Sequence, residues 1–345
     1  VSQESCLGPA ASRLLDEELA ALAGDIDREN RVPDSLIEKA AAEGLFDIGS
    51  VECLLQAVRR ASRFSRGFAH VLLVHGSCRL AVGGEGRVYA LGITEAGGGT
   101  DVRANIATRA EELGGGSYRL EGMKYFTSNA LYASHFVVLA LAGEEPALFL
   151  CEKQPRIRVE PLDLSGFRGS GVGKVVFDGA VCERLTEPGV DGVRAALGYI
   201  NVGRLGYASL ALGIADRAIE VIVEAASSKR VFGKRLLDYQ GVQWRIASIA
   251  ARRAALESLV VSALDGGGRV DPEKAAMAKV LGGELALEAA WSAVQILGGR
   301  GLAMWGEAER MYRDAKVIDI GEGAKEVLMD YIAGRTVKKV LGSRG

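Results

Sequence analysis

Ile318-Asp319-Ile320-Gly321-Glu322-Gly323-Ala324-Lys325-Glu326 decides how this chain is read. It follows Arg313-Asp314-Ala315-Lys316 and sets one carboxylate between two glycines at the mouth of a helix. Glycine permits close approach and backbone angles that other residues avoid. Glu322 then has two readings. It favours a helix N-terminus, worth a few tenths to about 1 kcal/mol, or it is a positioned base.

The sequence around this stretch is helical from Pro188 onward. Leu205, Ala208, Leu212, Ala215, Ile219, Ile222 and Ala226 recur at spacings of three and four, the stripe of one long helix. At 1.5 Å per residue that helix is expected to span about 40 Å. Residues 240–264 and 272–297 give two more, the second stopped by Gly298-Gly299, and residues 325–340 give a fourth. Four long helices with one apolar stripe each imply an antiparallel bundle.

Upstream the texture differs. Tyr118 to Phe126 alternates around Glu121-Gly122 in the manner of a hairpin. His135 to Leu141, Ala147 to Cys151, Ile157 to Pro161 and Lys174 to Phe177 are short strand-like runs, which suggest a small barrel or sandwich. Before Val88 the pattern is helical again, with Pro33 opening a helix that Gly44 closes. The expected fold class is α+β multidomain: a helical N-terminal domain at 1–87, a central small β-barrel at 88–188 and a C-terminal four-helix bundle at 189–345.

Bulk composition excludes several roles. The 345 residues are 48% hydrophobic and 25% charged, a globular balance for two or three domains. A formal charge of −2 gives no reason to expect nucleic acid or a membrane surface as partner. The longest apolar runs, such as Phe136 to Ala142, fall short of the roughly 18 residues a bilayer span needs. No signal-peptide pattern opens the chain. Cysteines 6, 53, 78, 151 and 182 are odd in number and widely spaced, so a disulfide framework is not expected and a reducing, cytoplasmic setting is. His70, His75 and His135 form no metal-binding spacing.

Four further motifs carry possible chemistry. Leu91 to Asp101 runs from a strand into a glycine-rich turn with hydroxyls at Thr94 and Thr100. It is either a surface loop or a cradle for a ring edge or phosphate. No βαβ unit follows it, which disfavours a Rossmann fold. Gly122 to Asn129 puts Phe126 and Ser128 on one side of a strand, as a core aromatic with an edge hydroxyl or as the wall of a ring site. Lys229-Arg230-Val231-Phe232-Gly233-Lys234 suits a helix C-terminus or a diphosphate. Gln295 to Gly301 places three glycines in four positions, more than one helix cap needs.

In this order, over residues 88–340, these motifs resemble the acyl-CoA dehydrogenase family of flavoproteins. The family's Thr-Glu, Gly-rich turn and Ser-Asp resembles Thr94-Glu95 through Thr100-Asp101. Its Gly-x-Lys-x-aromatic-x-Thr-Asn resembles Gly122 to Asn129, and its Arg-x-x-Phe-Gly with a later Gln resembles Lys229 to Gly233 and Gln240. Its Gln-x-x-Gly-Gly-x-Gly resembles Gln295 to Gly301, and its Arg-Asp-Ala-Lys with Glu-Gly-Thr resembles Arg313 to Lys316 and Glu322 to Ala324.

The resemblance implies FAD between barrel and bundle, and Glu322 as the base that takes a proton next to a thioester. It implies that Ile93 and Thr94 hold the flavin ring, with Phe126 and Ser128 beside it and Thr100 also among the cofactor-binding residues. Lys229, Arg230 and Phe232 would serve the diphosphate side, and Ala324 and Glu326 would lie near the cofactor. Gln240, Gln295 and Gly299 would touch the flavin of a neighbour in a homodimer or homotetramer. Thr100, Asn201, Arg204, Gly321 and Gly323 would face the substrate, and the Glu322 N–H would donate to the thioester oxygen. Electrons would pass to an acceptor protein or to oxygen.

Departures from the pattern bear on the substrate. Thr100 stands for the commoner Ser, Lys229 for Arg, Ala324 for Thr, and Asn201 for an acidic residue. Gly321 replaces a larger residue, which is expected to open space near the reacting carbons. The region between Phe46 and Val88 is shorter than the family norm. These features fit a small polar acyl group on CoA or on an acyl carrier protein. Some relatives in polyketide pathways oxidise a hydroxyacyl carrier-protein thioester such as hydroxymalonyl. An oxidase or hydroxylase on the same scaffold, and a non-catalytic flavoprotein, are the alternatives.

Overall fold

The structure, a computed structural model, describes residues 6–99, 105–266 and 268–342. The first helix, α1, runs Pro9–Arg13, takes a π turn at Leu14–Glu18 and continues Leu19–Glu29. Asn30, left-handed at φ 52°, ends it. Three helices follow: α2 (Asp34–Ala42), α3 (Val51–Ser62) and α4 (Arg66–Val82). Ser50 and Ser65 cap α3 and α4, accepting from the backbone N–H of Cys53 and Phe68. Residues Arg66 to Cys78 of α4 are all buried, so this helix is the core of its domain and not a surface element.

Seven strands make the middle domain: β1 (Tyr89–Gly92), β2 (Arg109–Gly114), β3 (Ser117–Thr127), β4 (His135–Ala142), β5 (Glu145–Glu152), β6 (Ile157–Pro161) and β7 (Gly173–Arg184). The path β4-β2-β3-β7-β5 returns to β4, because β4 also pairs with β5. The expected barrel is therefore closed. Phe136, Val138 and Ala140 point into it, while Val137, Leu139 and Leu141 pack outward against neighbouring helices.

Two expectations fail here. The hairpin is not at Glu121-Gly122, since β3 continues through both residues and the turn is Gly114-Gly115-Gly116. Gly122 is a mid-strand irregularity at φ 143°, where a Cβ would lie 2.7 Å from the Thr108 backbone. The cysteines do pair: Cys6 with Cys53 and Cys151 with Cys182, leaving Cys78 free and buried. Spacing along the chain missed the second pair because it extends the β5–β7 register of Phe149 with Arg184 and Leu150 with Glu183. The cysteine argument for a reducing compartment falls with that expectation.

The long helix is α5 (Val190–Ser228), whose 39 residues span about 58 Å. It exceeds the expected length because its first turns serve a different surface. Ala196 and Tyr199 pack on Leu139, Leu148 and Leu150 of the barrel, upstream of the stripe that begins at Leu205. A two-residue turn at Phe232-Gly233 joins β8 (Arg230–Val231) to β9 (Lys234–Arg235). Then come α6 (Gln240–Ser262), α7 (Pro272–Leu297), α8 (Glu307–Ile320) and α9 (Lys325–Gly342). The fourth core helix is α8, which buries Ala308, Met311, Ala315 and Ile318. The expected one, α9, buries only Leu328, against Ala276 and Val280 of α7. Pro272–Leu302 is long and apolar enough by composition to cross a membrane, contrary to the reading of short apolar runs. It packs against α5, α6, α8 and α9 at the centre of the bundle.

Candidate active site

Glu322 lies in the tight connection between α8 and α9. Its φ is 56° and that of Gly323 is 105°, so two successive residues turn the chain in the left-handed region. For a residue with a side chain this costs about 1 kcal/mol or more. Two cations hold it there through the backbone. Lys279 of α7, itself buried, donates from Nζ to the carbonyls of Asp319 and Gly323, each at 2.7 Å. Arg204 of α5 donates from Nε to the Glu322 carbonyl at 3.3 Å and from Nη1 to Asn201 Oδ1 at 2.9 Å.

The Glu322 carboxyl itself receives no hydrogen bond among the described residues, although part of the residue remains open to solvent. It packs on Gly203, where a Cβ would lie 2.5 Å from Glu322 Cδ. Burial raises its pKa to about 7, against the opposing pull of Arg204 and Lys279. Burial likewise lowers Lys279 to about 8, with Asp319 and Glu322 opposing. A carboxyl that titrates near neutral pH and carries no ion-pair partner is suited to accept a proton.

Gly321 does not open the expected space. The Tyr207 side chain fills it: a Cβ on Gly321 would lie 2.5 Å from Tyr207 Oη. That hydroxyl is 3.3 Å from His70 Nε2 of α4, and both side chains are buried.

On the barrel, Ile93 and Thr94 come together with the end of β3. Lys124 Nζ donates to the Ile93 carbonyl at 3.3 Å, the Tyr125 N–H donates to the Thr94 carbonyl at 2.8 Å, and Leu91 bridges Ser128. Glu95 anchors the turn. It accepts from Lys124 Nζ at 2.5 Å, from the Thr108 hydroxyl and N–H, and from the Ala107 N–H. Phe126 adopts φ 53° and is 57% exposed, so it is a wall and not a core aromatic. Next along the chain, Thr127 Oγ1 and Asn129 Oδ1 are buried without a partner among the described residues.

Two sets of bonds tie this barrel edge to the Glu322 loop. Asn129 Nδ2 donates to the carbonyls of Val71 and Tyr89, at 2.9 and 3.1 Å. Val71 adjoins His70, which meets Tyr207. Asp314 of α8 accepts from buried Arg66 Nε at 2.7 Å and from the Phe167 N–H of the barrel's β6–β7 loop at 2.6 Å. Arg313 reaches Asp27 of α1 and the Ser165 carbonyl. The Arg-Asp pair of the motif therefore clamps three domains.

Arg204, Gly321 and Gly323 are thus grouped at Glu322, with Asn201 linked to it through Arg204. Ala324 caps α9 through the Leu328 N–H at 3.2 Å, and Glu326 is exposed in its first turn. Lys229 donates to the Ile296 carbonyl and sits by Gly298, while Arg230 bonds the Gly233 carbonyl across its own turn. Phe232 (96% exposed), Gln240, Gln295 and Gly299 lie on the surface. Among the described residues no hydrogen bond or ion pair joins any of them to Glu322. Thr100 falls outside the described residues. Sequence reasoning missed Gly203, Tyr207, His70 and Lys279. Two of them carry a signal in hindsight, a cation, Lys279, and an imidazole, His70, each set among apolar residues of a buried helix.

A cleft of about 1330 Å³ opens nearby. It is lined by Ser77 and Leu80 of α4, Leu148 of β5, Pro188, and Tyr199 and Asn201 of α5. It does not include Glu322, but Asn201 is common to both places.

Residues 90–180 match the acyl-CoA dehydrogenase middle domain, and residues 190–337 match the acyl-CoA dehydrogenase C-terminal domain. An acyl-CoA dehydrogenase of Bacillus subtilis (strain 168) is 30% identical over 364 residues, covering 93% of this chain and 95% of that protein. The chain belongs to the acyl-CoA dehydrogenase family. Butyryl-CoA dehydrogenase from Megasphaera elsdenii superposes on it with a TM-score of 0.87 at 25% identity, covering 95% of this chain and 96% of that one. FkbI, described as acting in biosynthesis of the methoxymalonyl extender unit of the Fk520 polyketide, shares the fold with a TM-score of 0.85 at 24% identity, covering 95% and 99%. The alignment with the Bacillus relative is longer than the 345 residues of this chain, so that relative carries residues this acyl-CoA dehydrogenase family member lacks.

The family consists of FAD-dependent oxidoreductases acting on acyl thioesters. The barrel edge fits that cofactor: the exposed Phe126 ring, the hydroxyls of Thr94 and Ser128, and the unpartnered polar atoms of neighbouring Thr127 and Asn129 suit a flat ring with hydrogen-bonding edges.

Proposed function

We propose that Glu322 removes a proton from the carbon beside the carbonyl of a short acyl thioester, in a site that also holds FAD. The observation that supports this reading most is the carboxyl of Glu322. It is raised to about 7 by burial while its backbone is pinned on both sides. A carbon acid next to a thioester is weak, so its base must be desolvated and near-neutral in pKa. Ionised Glu322 accepts the proton at a carboxyl oxygen. Its own N–H, aimed by the left-handed turn, donates to the thioester oxygen and stabilises the enolate that develops. Gly203 leaves room for the carboxyl, and Lys279 and Arg204 keep the turn from relaxing.

Ile93, Thr94, Phe126 and Ser128 would hold the ring of FAD, and Lys229 with Arg230 its diphosphate. Bound there, FAD supplies the acceptor for hydride from the adjacent carbon. The substrate's phosphopantetheine arm would lie in the cleft that ends at Asn201.

The test is a visible spectrum of the purified protein, then anaerobic titration with CoA and carrier-protein thioesters. A yellow protein that bleaches with one class of thioester is expected, and that class identifies the tether. A protein that stays colourless after being offered FAD sinks the reading. So does Glu322→Gln bleaching at the wild-type rate.

A further inference from the structure

Gly203 and Tyr207 stand one turn apart on the same face of α5, and both meet the 321–322 backbone. Gly203 yields space to the carboxyl of Glu322. Tyr207 takes the space that a side chain at 321 would occupy. Its ring does not stand alone. It packs with His70 of α4 at 5.6 Å between centroids and with Phe167 of the barrel's β6–β7 loop at 5.8 Å, and those two rings meet each other at 5.1 Å. Tyr207 and His70 are each 4% exposed and Phe167 2%. The Tyr207–His70 hydrogen bond fixes the ring across the gap between α4 and α5.

That gap is closed further along as well. A Cβ on Gly206 would lie 2.2 Å from Leu73 Cδ1 of α4, and farther along α5 one on Gly213 would lie 1.9 Å from Ser62 Oγ of α3. Beyond Tyr207, α5 thus packs on α4 at Gly206 and on α3 at Gly213 too closely for a side chain at either glycine.

We infer that Tyr207 is a specificity-determining residue. Held by His70 and Phe167, it is the end wall of the acyl pocket and limits the group beyond the reacting carbons to a few atoms. The inference rests on the placement of the reacting carbons at Glu322. It assigns the wall to α5, not to the residue preceding the base. Its ring, not its hydroxyl, sets the limit.

Binding of redox-inert pantetheine thioethers to the FAD-loaded protein tests this, with butyl and octyl chains compared by calorimetry. Wild type is expected to bind the butyl compound at least about tenfold more tightly than the octyl one, a difference of about 1.4 kcal/mol. Tyr207→Ala is expected to abolish or reverse that preference, since the longer chain then gains apolar burial that the ring had denied it. Tyr207→Phe keeps the ring and keeps the wild-type preference. Tyr207→Leu replaces Tyr207→Ala if the smaller residue does not fold. Equal binding of both chains by wild type overturns the inference, as does full discrimination in the shortened variants. Bleaching of the same samples by butyryl-pantetheine reports on Glu322 separately. Bleaching with the wrong ratio sinks the wall alone, and the right ratio without bleaching sinks the base alone.

Discussion

Glu95 and Glu322 are both drawn away from water, and they end in opposite states. Burial works to raise both. At Glu95 it is outweighed by Lys124, Thr108 and Ala107, so the carboxyl is held below its ordinary value. At Glu322 the neighbouring cations direct their hydrogen bonds to backbone carbonyls and to Asn201, and the carboxyl rises to about 7. The barrel turn uses a glutamate as a fastener, satisfied on every side. The α8–α9 turn fastens the backbone instead and leaves the glutamate free to react. One residue type is made structural or chemical by where its neighbours' N–H groups point.

Four substitutions or conditions probe that contrast, taken from the largest effect down. Glu322→Gln removes the free carboxylate and is expected to lower kcat by about 10³-fold. Stopped-flow flavin reduction measures this, and circular dichroism should show an intact fold. Lys124→Met strands Glu95, and breaking a buried pair from one side costs about 3–5 kcal/mol. Urea unfolding should show it as a lower midpoint. Neither variant should reproduce the other's phenotype; if Glu322→Gln unfolds as readily as Lys124→Met, the contrast is wrong.

Gly203→Ala sharpens the comparison. Its Cβ would push on the Glu322 carboxyl, and a displacement near 1 Å is expected to cost about 10²-fold in kcat. Steady-state rates against a melting temperature close to wild type test it. The smallest effect is that of pH. Ionised Glu322 is the reactive form, so the rate of flavin reduction should rise with pH and level off above about 7. Below that value it should fall about tenfold per unit. Stability carries the opposite sign. The folded state keeps the proton on Glu322 at pH values where the unfolded chain has lost it, so this group's stabilising contribution is lost as pH rises from about 4.5 to about 7. Glu322→Gln should abolish that decline in a series of melting temperatures.

Periodicity carried most of the fold. The stripe from Leu205 to Ala226 and the alternation of β4 required the bundle and barrel that the structure has. It failed where a property belongs to two segments at once. The Cys151–Cys182 pair follows from the register of β5 on β7, which no single strand reveals. Gly321 looked like an opening because its own side chain is missing, and the occupant, Tyr207, comes from another helix. The helix α8 went unread because its residues were taken as a motif, although Ala308, Met311, Ala315 and Ile318 keep a helical period. The flanking glycines singled out Glu322 in the sequence, but they fit a helix start as well as a base, and the buried setting that separates the two comes from α5 and α7.

Helix α5 touches α3 and α4 at the front, β5 in the middle domain, and α6, α7 and α8 behind. One unbroken rod through every layer removes any natural hinge. Clamshell closure of one layer on another would have to bend this rod or peel it from its neighbours. A cut near Gly203 would break the rod, and the Asp314 and Arg313 bonds to the β6–β7 loop would then be what still joins the α8–α9 turn to the barrel.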